Sequence, residues 1–432
     1  MAVSTPGRLR SDPDFRRYLA SRMVSVAGTL VATVAFPVLV YRLSGSAAWT
    51  SAVAVTGALP YLLFGLFAGA IADRFDRRRL MVGADLLSAL ALGSIPVAWA
   101  LDALTPLHVL LASFAVQALY VLFDAANFGA LPQLIGKERL TAGYSAVYGA
   151  TTFVELVVPG VAGLLVTVMA PAPLVAVNAV TALASAALVR MIIRPLSAPR
   201  SPADPADGTG TSGTTLLADI RTGLSFLLRN PVVRTLTLVG ATHAAASGAW
   251  VAMLVPWADQ VLGVAPTGDP RLAVLFSCWG VGALLASRLV PVLSERFGAP
   301  RLALGALPAS LLAGVGVVLS TQWPVAAAMA VLWGTAYSVV VINAVTYRQQ
   351  VSPQHLQSRI NTTARMLSWG VGQPLGAALA GAVAVTALGP RGGLAASLAV
   401  LGAGVVLAWL SPLRAHARAA ARDPETAPAT LG

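Results

Sequence analysis

Apolar residues along this chain gather into long runs, and polar residues collect in the short breaks between them. Twelve runs stand out, near residues 19–41, 50–72, 80–100, 106–130, 143–168, 173–193, 235–257, 271–293, 301–320, 324–347, 362–387 and 391–411. An α-helix needs roughly 20 mostly apolar residues to cross a bilayer, so each run predicts one membrane helix. Between the sixth and seventh runs lies Arg194 to Thr215, rich in Pro, Gly, Ser and Thr, which reads as a flexible linker. The predicted plan is an all-α integral membrane protein. It has an N-terminal six-helix bundle (1–193), a cytoplasmic linker (194–234), a C-terminal six-helix bundle (235–412) and a cytoplasmic tail (413–432). Within the linker, Leu216, Leu217, Ile220, Leu224, Leu227 and Leu228 recur at helical spacing. They predict a short amphipathic helix on the inner membrane surface, or else a simple lead-in to the seventh span.

Composition supports the membrane reading. Of 432 residues, 57% are apolar and only 11% charged, against about 25% charged in a soluble domain. The net charge of +12 has a topological explanation. With the N-terminus inside, only Arg42, Arg271 and Arg391 of the 29 basic residues fall in outer segments, and Arg22, Arg288 and Arg365 lie within spans near their inner ends. Basic residues concentrate on the cytoplasmic side of membrane proteins, facing the anionic leaflet. Both termini are therefore expected in the cytoplasm, and no nucleic acid partner is needed. The lone lysine, Lys137, and the abundance of Ala and Gly suggest a GC-rich bacterial genome, and hence a multi-pass protein of the bacterial inner membrane. The polar N-terminus does not read as a cleavable signal peptide. The one cysteine, Cys278, rules out a disulfide framework. No nucleotide loop, metal-ligand spacing or nucleophile constellation is visible, so neither an enzyme nor a cofactor is expected.

The two halves repeat. "ADRFDRRRLMVG" (Ala72 to Gly83) aligns without gaps to "SERFGAPRLALG" (Ser294 to Gly305), and "QLIGKERL" from Gln133 echoes "QQVSPQHL" from Gln349. Parallel repeats of six helices point to a transporter built from pseudo-symmetric bundles. Gly69, Ala72, Asp73, Arg74, Arg77, Arg78 and Leu80 resemble the signature of the major facilitator superfamily between its second and third helices. The family usually has glycine where this chain has Asp76, and the second copy keeps it as Gly298. "GLSFLLRNPVVRTL" and "QQVSPQHLQSRINTTARMLSWGVGQPLGAALAG" resemble the transmembrane secretion effector branch, which includes macrolide-type and siderophore exporters. The resemblance implies twelve membrane helices in two six-helix bundles. It also implies export of a hydrophobic or amphipathic small molecule, such as a drug, antibiotic or secondary metabolite, in exchange for protons. Uptake of a small metabolite is the alternative, and a non-transporting membrane sensor or scaffold a lesser one. It further implies a conformational latch drawn from Gly69, Asp73, Arg74, Arg77 and Arg78, with Asp124 on the fourth span as its third member. Asp124 has two other readings: a proton site, or a partner for Arg22.

Buried charge marks the remaining candidates. Glu155 lies about twelve residues into the fifth span, near mid-membrane. A carboxylate there is costly unless it is protonated, paired or in contact with water. It is a candidate proton carrier or cation site, with a structural partner to a polar neighbour as the other reading. His243 is a third coupling candidate or a packed histidine. Arg22, Gln117, Asn127, Trp250, Trp333, Asn343 and Tyr347 are candidate cavity residues, with snorkelling as the simpler account of Arg22. Asp85 and Arg288 are each expected to pair locally. Trp49, Trp99, Trp257 and Trp323 are expected in the interfacial belt.

Overall fold

The computed structural model describes residues 9–136, 139–197, 227–351 and 366–414, together with Ser225 and Ala364. A 3-10 turn, Leu9–Ser11, leads into α1 (Pro13–Ser44), α2 (Ala47–Arg74), α3 (Arg77–Ala100), α4 (Pro106–Ile135), α5 (Leu140–Val168) and α6 (Pro171–Arg190). After the linker come α7 (Pro231–Leu262), α8 (Pro270–Phe297), α9 (Ala299–Leu319), α10 (Trp323–Val351), α11 (Gln373–Ala384) and α12 (Gly389–Leu410). Eleven helices among the described residues are long and apolar enough to cross a membrane. The exception is α11, with 12 residues, but it continues directly from a π-helical stretch of seven, Met366–Gly372. Together they reach roughly 28 Å at 1.5 Å per residue, close to the hydrocarbon thickness.

Local chemistry sets the helix ends. Asp76 accepts from the Arg79 N–H and starts α3, Thr105 accepts from the His108 N–H ahead of Pro106, and Asn230 accepts from the N–H groups of Val232 and Val233 ahead of Pro231. Each satisfies donors that an N-terminus leaves open, and proline is tolerated in the first turn because its missing N–H is not needed there. Gly263 ends α7 in the left-handed region at φ 61°, where a side chain would be strained.

The chain forms two compact units, Met1–Leu39 with Pro60–Gly213, and Val40–Leu59 with Thr214–Gly432. The α1–α2 turn thus groups with the second unit, a refinement that a plan of six and six helices does not foresee. In the first unit Phe15, Tyr18, Met81, Phe123, Leu131 and Ile135 form the core at one end of α1, α3 and α4. In the second, Leu236, Ala286, Leu307, Val340 and Ala408 join α7, α8, α9, α10 and α12.

Small residues let the helices of the second unit touch. A Cβ added at Gly376 would lie 1.9 Å from the Ala245 carbonyl oxygen, and one at Gly248 would lie 2.0 Å from that of Gln373. Backbone contact of this kind replaces the hydrophobic drive that is missing between helices in lipid. Trp257 departs from its expected place in the belt: it is fully buried inside the second unit. Leu216 to Leu224, the bulk of the expected amphipathic helix, lie outside the described residues. Leu227 is buried against Val233 and Ala364.

Candidate functional site

The α2–α3 loop is a hub of hydrogen bonds within the first unit. Asp76 caps α3 and also accepts, at 3.3 Å, from the Ser197 hydroxyl. Ser197 in turn accepts from the Arg77 N–H at 2.9 Å. The Arg78 guanidinium donates to the carbonyls of Ile193 and Arg194 at 3.3 and 2.6 Å, and that of Arg77 donates to the Gly129 carbonyl on α4 at 3.1 Å. A Cβ at Gly129 would sit 2.4 Å from the Arg77 guanidinium carbon, so a larger residue there would make that side chain move. Asp76, which stands where the family has glycine, ties the loop to the segment that leaves α6. Arg74 is exposed, Gly69 lies within α2, and the side chain of Asp73 lies outside the described residues.

The same segment carries a second network. Arg194 pairs with Asp12 and with Asp14, at 3.3 Å to the latter, and donates to the Leu134 carbonyl at 2.9 Å. Asp14 also accepts from the N–H groups of Ile193 and Arg194. Burial alone would raise the Asp12 carboxyl, but the Arg194 hydrogen bond and charge, with the N–H groups of Phe15 and Asp14, hold it below the usual carboxylate range.

Between the helices of the first unit lies a polar cluster. Arg22 on α1 is 3.7 Å from Asp124 on α4 and lies over the Phe123 ring. The Tyr61 hydroxyl is 3.4 Å from the same carboxylate. Arg22, the partner named in one of the three readings of Asp124, thus stands within ion-pair distance of it. Arg22 does not snorkel, being only 8% exposed. Tyr18 donates to Asn127 at 2.6 Å. Gln117, Asn178 and Asp85 line a cavity of about 30 Å³. Asp85 is buried, while Arg288 is exposed. Asp85 has the Ser185 hydroxyl and the Arg22 charge beside it, while no ion pair of Arg288 is found among the described residues. Asp85 turns inward, toward polar groups of other helices, and Arg288 turns outward on α8.

On α5, Glu155 is exposed. Tyr144, Tyr148 and Thr152 are exposed at helical spacing ahead of it, so one face of the helix carries hydroxyl and carboxyl groups. Phe128 stands beside Tyr144, with ring centroids 6.5 Å apart.

In the second unit the aromatic candidates converge. Trp250 stacks on Trp279 at 6.0 Å, and Trp333 meets both edge-on at 5.6 and 5.5 Å. Trp257 and Tyr337 extend the cluster. The indole N–H groups of Trp257, Trp279 and Trp333 are buried without acceptors. His243 is fully buried beside Tyr337, and its Nδ1–H donates to the Val239 carbonyl at 3.1 Å. That bond fixes the tautomer and leaves Nε2 as an unpartnered acceptor. Asn343 is buried on α10, and the side chain of Tyr347 lies outside the described residues. Sequence reasoning missed Tyr41, which donates to Asp259 at 2.7 Å and accepts from Gln260 at 3.2 Å within this unit. Its only advance signal was polarity at the end of an apolar run. A groove of about 740 Å³ along α8, α9 and α10 is lined by apolar side chains, with Arg301 the one charge among its lining residues.

The apolar helices, the loop hub and the buried ionic cluster agree with a family match. The Major Facilitator Superfamily model matches residues 18–368. The chain belongs to this superfamily. It is a multi-pass membrane protein of the transporter class, not an enzyme. Among its relatives is the multidrug efflux pump Tap of Mycolicibacterium fortuitum, 29% identical over 406 residues, covering 92% of this chain and 95% of that protein. The macrolide efflux protein A of Streptococcus pyogenes is 26% identical over 227 residues, covering 52% and 53%. The fold is shared with the nucleoside transporter NupG, with TM-score 0.70, 13% identity, and coverage of 93% and 98%. It is also shared with a bacterial homologue of the human lysosomal transporter Spinster in an inward-facing, occupied conformation, with TM-score 0.70, 14% identity, and coverage of 94% and 97%.

Proposed function

We propose that this major facilitator protein exports hydrophobic or amphipathic small molecules from the cytoplasm in exchange for protons, by alternating access. The observation that carries the export reading is similarity to a multidrug efflux pump along 92% of the chain. The asymmetry of basic residues supports cytoplasmic termini and a bacterial inner-membrane location. In this reading the transport cycle alternates between inward-open and outward-open states. Asp73 and Arg77 act as the latch of the α2–α3 loop, and Arg77 has a fixed anchor at Gly129.

Proton coupling is assigned to Glu155 and Asp124. An exposed carboxyl on a membrane helix is stable only when water reaches it or when it is protonated, and the alternation of those two conditions is what an antiport cycle needs. The face of α5 bearing Glu155 offers hydroxyls for a wet path. His243 fits a structural role better, because burial and a backbone hydrogen bond remove it from water. The aromatic cluster is packed core in the arrangement described, with Trp250, Trp257 and Trp333 buried, and supports the second unit rather than presenting a surface to a compound.

The test uses inside-out membrane vesicles acidified by respiration. Adding ethidium or a macrolide should release protons from vesicles bearing the wild-type protein. Glu155→Gln should fold, reach the membrane and abolish that release. Unchanged release from the variant contradicts the assignment of Glu155, and no release from wild type with any hydrophobic drug tested contradicts the antiport reading.

A further inference from the structure

The second unit carries an apolar groove of about 740 Å³ along α8, α9 and α10. Its floor is a row of small residues on α9: Gly305, Ala306, Ala309 and Ala313. Leu289 and Leu293 of α8 wall one side, and Leu332 and Val339 of α10 the other. A Cβ added at Gly305 would meet nothing within 4 Å, so the floor is open there. Thr335 brings the one hydroxyl among the lining residues, and its Oγ1 already donates to the Val331 carbonyl at 2.8 Å. The trough therefore has no spare polar group along its length to hold water.

Charge gathers at one end only. Arg301 lines the groove where α9 begins, and Phe297 lines it where α8 ends. The Arg296 guanidinium lies over the Phe297 ring, 5.5 Å from its centroid, so a second cation flanks the same mouth. Glu295 of this loop is exposed and is not among the lining residues. The internal repeat sharpens the contrast. Arg301 aligns with Arg79, but Gly298 stands where Asp76 caps α3. α9 thus starts without a side-chain cap, and its first turn adds positive potential at the mouth. From Arg301 to Ala313 the trough runs about 18 Å by helix rise. That is a little over half of the roughly 30 Å hydrocarbon core, the depth of one leaflet.

We propose that this groove binds an anionic phospholipid, with its phosphate at Arg301 and Arg296 and one acyl chain laid over Gly305 and Ala309. Apolar contact alone does not select a lipid, because lipid tails are as apolar as the groove and leave no hydrophobic drive. Selection comes from the mouth, where two cations near the headgroups favour an anionic over a zwitterionic lipid by roughly tenfold. The acyl chain fills space that no described side chain fills, and so braces α8, α9 and α10. Placement in the cytoplasmic leaflet rests on the topology proposed above, but binding itself does not.

The probe is phosphatidylglycerol with a photoreactive group on one acyl chain, at trace level in phosphatidylcholine vesicles holding the purified protein. Cross-links read by mass spectrometry should concentrate on residues 301–313, and a matching phosphatidylcholine probe should label them roughly tenfold less. Arg296→Gln combined with Arg301→Gln should bring the two probes level. Gly305→Leu points a side chain into open space, so it should fold and lower labelling of residues 301–313 by both probes. Equal labelling by the two probes in wild type reduces the groove to ordinary lipid contact and overturns the proposal. Labelling unchanged in the double arginine variant, or in Gly305→Leu, overturns it as well. If the double variant does not fold, the wild-type comparison and Gly305→Leu decide. Displacement of both probes alike by ethidium makes the groove a drug site and also overturns it. None of these readouts needs transport, so a failure of the antiport reading leaves the lipid result standing.

Discussion

Arg22 and Asp124 form an unequal pair, and the inequality has a measurable consequence. The Arg22 side chain is 9% exposed and that of Asp124 33%, with 3.7 Å between nitrogen and oxygen. At an effective dielectric near 20, unit charges at that distance attract by about 4 kcal/mol. Water at the carboxylate screens part of this, so Asp124→Asn should cost about 2–3 kcal/mol, because it strands a buried cation two of whose nitrogens already lack partners. Arg22→Met removes the buried charge itself and leaves a carboxylate that water reaches, so it should cost no more than about 1 kcal/mol. The double variant should therefore be more stable than Asp124→Asn alone. Reversible unfolding in mixed micelles of detergent and SDS measures all three. An Arg22→Met variant less stable than Asp124→Asn, or a double variant no better than Asp124→Asn, refutes the reasoning.

Helix contact gives a second test. Gly376→Ala places a Cβ 1.9 Å from a backbone oxygen that cannot rotate away, whereas Gly402→Ala meets only Leu311 at 3.6 Å. The first should lose about 1–3 kcal/mol and the second be near neutral in the same unfolding assay. Acid sensitivity gives a third. Because the Asp12 carboxyl is lowered in the folded state, its contribution is fully present above its ordinary value of 3.8 and is lost as pH falls below it. Asp12→Asn should flatten the fall of thermal stability below about pH 4, and an acid limb identical to wild type contradicts the role given to Arg194.

Much of the fold is legible in the sequence because the bilayer imposes its thickness on the chain. Runs of apolar residues near the required length mark every span. The shortened α11 is not legible, since a π-helical turn at Met366–Gly372 arises from tertiary packing that residue spacing does not encode. Trp257 is misplaced for a related reason. A tryptophan near a span's end suits the interface equally well, and only the neighbouring Trp250 decides for burial. At the site, type and depth pick out Glu155, Asp124 and Arg22, but partners have to come from helix rotation. Asp85 sits at a depth where local pairing is the natural expectation. The face of α3 that turns it toward α6 makes it the most confined acid of the first unit's cavity. The extra charge of the α2–α3 loop is likewise explained by a long-range contact, from Asp76 to Ser197.

The central claim is proton-driven export, and proteoliposomes with an imposed pH gradient test it most directly. With a fluorescent amphipathic drug outside and the lumen acidified, the account predicts drug accumulation in the lumen through inside-out protein, matched by alkalinisation of the lumen, and collapse of both on adding a protonophore. Accumulation that ignores the pH gradient, or a gradient that drives no drug movement in folded wild-type protein, contradicts it.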